Sequence, residues 1–134
     1  MKTLFRIILV MFVLQWTSDS YAAEPLPLAI KGFCDMAFAG LIARKGQPFN
    51  PTEVLDPKLP SRRILDYVVK GHYAYLWYEH GGYHYHQHLV KFSNTKPYEV
   101  KASYVFDSTT HKDIHKLMND TKFLSSHLSN QCGL

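Results

Sequence analysis

The chain has 134 residues, a formal net charge of +4, 46% hydrophobic residues and two cysteines, which is enough for one core of ordinary domain size and not for two. Its basic residues are scattered, and the only adjacent pairs are Arg44-Lys45 and Arg62-Arg63. With no basic stripe and no recognised nucleic-acid module, nucleic acid is excluded as an expected partner.

Read from the start, Lys2 and Arg6 precede the apolar run "IILVMFVLQW", and the polar "TSDSYA" follows. That order is the grammar of a cleavable secretory signal peptide, with Ser20 and Ala22 as the small residues at the cleavage site. Even counted from Leu4 to Trp16, the run is shorter than the roughly 20 apolar residues a spanning helix needs. The expectation is a signal peptide over 1–22, then one domain over 23–134, periplasmic or secreted and with no stable membrane anchor. In an exported chain, Cys34 and Cys132 are most simply a disulfide bond tying the two ends of the domain together. In the chain-entropy account a loop that long contributes about 4–5 kcal/mol.

"LPLAIKGFCDMAFAGLIARKG" places Ile30, Phe33, Cys34, Ala37 and Leu41 at helical spacing and ends with Arg44 and Lys45 before Gly46, which predicts a first helix. The proline-rich "QPFNPTEVLDPKLP" predicts a loop. From Arg63 to Asp107, aromatic and β-branched runs broken by "KG", "HGG" and "NTKP" predict four antiparallel strands, over 63–69, 72–80, 83–93 and 98–107. A last helix follows, with Ile114, Leu117, Met118, Thr121, Leu124 and Leu128 on one face and Thr110 with Asp113 spaced as a capping box.

Strand side chains alternate, so turn lengths decide which residues share a face. Two-residue turns at Lys70-Gly71 and Gly81-Gly82, with a four-residue loop over 94–97, collect Leu65, Tyr67, Val69, Ala74, Leu76, Tyr78, Tyr85, Leu89, Val100, Ala102, Tyr104 and Phe106 on one face. Both helices are expected to cover it, giving an α+β two-layer sandwich with an antiparallel β-meander. The other face then presents Asp66, Tyr73, Tyr75, Trp77, Glu79, His84, His86, His88, Lys101, Ser103 and Asp107 to solvent.

This histidine-rich hairpin, "WYEHGGYHYHQHLVKF", supports three functional expectations. The first is a monomeric, non-enzymatic binding protein. It would recognise another exported protein or an envelope ligand, as an inhibitor or immunity-type protein does, through the aromatic face of Tyr73, Tyr75, Trp77, His84, His86 and His88. Such a face would charge between about pH 5 and 6 and release its partner. The second is a metal-binding protein. His84 and His86, two apart on a strand, would converge on zinc or copper with Glu79 and Asp107 supplying a carboxylate. His111 and His115, four apart on the last helix, read as a solvated edge. The third is a histidine-dependent hydrolase or nuclease, with Lys101 beside a developing anion. Against an enzyme, the sequence offers no nucleophile motif, no phosphate loop and no enclosed pocket.

Overall fold

The computed structural model describes residues 24–53 and 55–129. The expected signal peptide and Cys132 lie outside the described residues. Seven elements follow in order: α1 (Leu28–Phe38), β1 (Arg62–Lys70), β2 (Tyr73–His80), β3 (His86–Ser93), β4 (Val100–Phe106), α2 (Ile114–Asn119) and α3 (Thr121–Ser126). The strands form one antiparallel sheet in the order β1-β2-β3-β4. The α+β class, the four-strand meander and the flanking positions of the helices are those the sequence predicts. Among the described residues no helix is long and apolar enough to cross a membrane, and no disulfide is found among them. Cys34 is buried in α1, where burial pushes its thiol up to about 12.

Two helical expectations change at their ends. The first helix stops at Phe38, because Ala39 and Gly40 both take left-handed backbone conformations and the Gly40 N–H turns back to the Cys34 carbonyl at 3.2 Å. Beyond it the chain straightens, and Ala43 makes a parallel bridge to Arg63 along the outer edge of β1, leaving Leu41 exposed. The last helix is two short ones, because Asp120 breaks the run and caps the second with its carboxylate, which accepts from the Phe123 N–H at 2.9 Å. Asp113, not Thr110, caps α2, accepting from the His115 N–H at 2.7 Å.

The larger correction concerns the sheet faces. Tyr78 pairs with His88 and His80 with His86, so β2 and β3 are joined by five residues, 81–85, and not by Gly81-Gly82 alone. An odd-length loop in place of an even one exchanges the two faces of β3 and β4 relative to β2. The expected single core is therefore split. Ala74, Leu76 and Tyr78 meet Val90 and Phe92 under Ile30, Phe33 and Phe38 of α1. Trp77, Leu89 and Phe106 lie on the opposite face under Ile114, Leu117 and Leu124. The helices thus cover both faces and make three layers, with the first helix on one side and the last two on the other. β2 is buried on both sides, from Leu76 through Glu79. Burial on both faces is why its apolar residues run on without alternating.

Candidate metal centre

The Tyr78 side of the β2–β3 hairpin carries three imidazoles. His80 ends β2, His86 opens β3 directly opposite it, and His88 follows two residues on along the same face. Their ring centroids lie 5.0 Å (His80–His86), 4.7 Å (His86–His88) and 6.2 Å (His80–His88) apart. One nitrogen from each ring can be chosen so that all three lie within 4.8 Å of one another. A tetrahedral ion with bonds of about 2.0–2.1 Å needs nitrogens ~3.3 Å apart, so the rings must draw somewhat closer to share one.

Local structure holds each ring. His88 stacks on Tyr78 with centroids 4.7 Å apart and planes 4° from parallel, and it is only 6% exposed. Nδ1 of His86 lies 2.7 Å from the His84 carbonyl oxygen. A carbonyl only accepts, so Nδ1 is the donor in this contact and Nε2 is the nitrogen left to face an ion. Anchoring one ring nitrogen on a backbone carbonyl is the usual way a metal-ligating histidine is oriented. His80 is set by the start of the loop. A Cβ on Gly81 would sit 1.8 Å from the Asn50 carbonyl oxygen, so only glycine lets the chain leave β2 against that segment. Asn50 is itself buried, its amide donating to the Asp56 and Leu59 carbonyls at 2.8 Å each.

Two observations bear on chemistry. Both ring nitrogens of His88 are buried and have no hydrogen-bond partner among the described residues. Buried polar side chains are nearly always satisfied, and leaving one unpaired costs about 1–3 kcal/mol. Burial, and then the charges of His86, His80 and Arg62, lowers His88 to about 3; burial, then Arg62 and His86, lowers His80 to about 4. Both are therefore neutral at pH 7 and need lose no proton to act as ligands.

The residues singled out from the sequence are distributed differently. His86 and His88 are in the cluster, whereas His84 is exposed in the 81–85 loop, where its carbonyl, and not its ring, takes part. Glu79 lies on the opposite face and is only 4% exposed. It takes a 2.6 Å ion pair from Arg63 Nε and a 2.7 Å hydrogen bond from the Tyr85 hydroxyl. Asp107 is exposed beyond the end of β4, so the expected His84–His86–Glu79–Asp107 set is not assembled. Tyr73, Tyr75 and Trp77 share the Glu79 face, away from the histidines. Trp77 is buried there, its indole N–H donating to Gln87 at 3.0 Å, while Tyr73 and Tyr75 flank the Lys91 ammonium. His111 pairs with Asp120 at 3.1 Å, and His115 is exposed.

His80 is the member that sequence reasoning missed. Standing beside Gly-Gly, it reads as the last residue before a turn. Its signal lay in parity, since any odd-length connection brings His86 and His88 to the Tyr78 side, where His80 also belongs.

No family model, curated protein or solved structure matches the chain. The three-histidine geometry thus stands on the chain's own residues.

Proposed function

We propose that this protein is an exported binding protein for one transition-metal ion, held by His80, His86 and His88. The observation that carries the reading is the buried imidazole of His88, without a partner among the described residues at either nitrogen and standing beside two further imidazoles. Three neutral nitrogen ligands suit zinc or copper and not the hard, oxygen-seeking calcium or magnesium. Three protein ligands also leave a coordination position for a further group. Export rests on the leader in the sequence. The aromatic recognition face has less support, because Trp77 is buried and its face is covered by α2 and α3.

Calorimetric titration of the metal-stripped protein with zinc and with copper at about pH 7.5 tests the proposal. One equivalent is expected to bind with a sub-micromolar Kd, and His80→Ala, His86→Ala and His88→Ala are each expected to weaken it by at least ~100-fold, or about 2.7 kcal/mol. His84→Ala and Asp107→Ala are expected to leave it unchanged. Binding that survives the first three substitutions, or that disappears with the last two, would move the site elsewhere.

A further inference from the structure

The triad has an unusual electrostatic setting for a cation site. Among the described residues, no carboxylate or thiol belongs to the group of possible ligands. The fixed charge acting on both His80 and His88 is that of Arg62, with no acidic residue among the groups that shift them. Arg62 is the direct cross-strand partner of His80, and paired residues in an antiparallel sheet hold their side chains on the same face, with Cβ atoms about 4.5–5.5 Å apart. Its guanidinium is held 5.0 Å over the Phe38 ring. Phe38 packs edge-on against Tyr78 at 5.1 Å, and Tyr78 stacks on His88. Among the described residues, no carboxylate is within ion-pair distance of Arg62. The contrast with its neighbour is direct: Arg63, on the other face, is neutralised by Glu79.

A divalent ion on three neutral imidazoles keeps its full charge. Beside Arg62 the site would hold a local charge of about +3 in a half-buried position, where like charges repel strongly and desolvation penalises each of them. An anion bound to the metal's remaining position resolves both difficulties. It lowers the net charge and gives the guanidinium an acceptor that no carboxylate among the described residues provides. A planar, forked guanidinium favours ligands with paired oxygens, which is the geometry of carboxylate and phosphate groups. Arg62 also lines an open groove of about 690 Å³ whose other charged residues are Asp56 and Lys58, so its side borders open space.

We infer that the metal-loaded site takes a small oxyanion, a carboxylate or phosphate group, bound jointly by the ion and by Arg62. This rests on the three-histidine metal reading and assigns it a ligand class. Arg62 is then a ligand-recognition residue and not a metal ligand. Losing it removes a repulsive charge, so metal affinity should hold or rise while anion affinity falls.

The test uses the copper-loaded protein, whose visible absorption reports exchange at the open position, titrated separately with acetate and with inorganic phosphate. Saturable spectral change with one or both anions is expected. Arg62→Gln is expected to weaken that response by at least 10-fold without weakening copper binding in calorimetry. Arg62→Lys, which keeps the charge and the sheet position, should retain a weaker response and covers the case in which the glutamine variant fails to fold. A stronger response to one of the two anions identifies which of the two groups the site prefers. Copper bound by the triad with no response to either anion, or with equal responses in parent and variant, overturns the inference and leaves the metal reading standing. Failure of copper to bind the triad at all overturns both.

Discussion

Replacing the His88 imidazole by a flat ring without nitrogens separates its place in the core from its place in the site. Phenylalanine can keep the stack on Tyr78 and removes two buried nitrogens that have no partner. Metal-free His88→Phe is therefore expected to be more stable than the parent at neutral pH by about 1–3 kcal/mol, although it should no longer bind the ion. The same substitution should change the response to acid. His88 is lowered to about 3 and His80 to about 4 in the folded protein, against about 6.5 for an unfolded histidine. Below 6.5 the unfolded chain takes up protons that the folded chain refuses. The stability is therefore fully present above 6.5 and is lost as the pH falls towards the folded values. For His88 alone the loss between neutral pH and about pH 5 is about 2 kcal/mol. Urea unfolding of the metal-stripped protein at the two pH values should show a smaller loss in His88→Phe, with His80 supplying the remainder. An equal loss in both proteins would mean that His88 does not stay neutral in the fold.

At the scale of elements, β2 and β3 carry the imidazoles on one face and a polar network on the other. Glu79 holds Arg63 and Tyr85, Gln87 reaches the Tyr85 hydroxyl at 3.1 Å, and Trp77 reaches Gln87. Tyr85 is the last residue of the connecting loop, and its bond to Glu79 ties that loop to β2 across from the Gly81 exit. The network therefore fixes where His86 starts β3 relative to His80. Tyr85→Phe and Glu79→Gln are expected to weaken metal binding by about 10-fold, in the range found for groups that orient ligands without touching the ion. Calorimetry on each variant checks this, and unchanged affinity would show that the backbone pairing alone holds the triad. The loop is also where sequence reasoning gave way. Strands, helices and their order follow from residue patterns such as Ala74, Leu76, Tyr78 against Tyr75, Trp77, Glu79. Those patterns are local and strong. The relation between one strand's faces and the next depends on a turn length, and Gly-Gly suggests a tight turn at 81–82. Gly81 is instead where the chain abuts Asn50, a non-local contact that no local pattern in the hairpin announces. His86 and His88 were legible as a pair, while their third partner was not.

The two cores of the whole molecule lie back to back across β2, with Tyr78 and Leu76 in one and Trp77 in the other. Consecutive residues of one strand anchor both, so neither core can open without freeing the backbone that supports its neighbour. That predicts a single cooperative unfolding unit, in which a ligand bound on the α1 side stabilises the α2–α3 side equally. Trp16 and Trp77 are the two tryptophans, so in the protein lacking residues 1–22, Trp77 emission reports from the face opposite the triad. Zinc at about 100 times its Kd should stabilise the folded state by about 2.7 kcal/mol through mass action. Unfolding followed by Trp77 emission and by far-ultraviolet circular dichroism should therefore move to higher denaturant by the same amount, with the two curves superimposed before and after zinc. If zinc shifted the circular dichroism curve and left the Trp77 transition where it was, the two cores would be separate units, and β2 would be a shared wall without being a mechanical link. Coincident shifts would instead mean that the ion, although it touches only the end of one hairpin, acts on the stability of the entire fold.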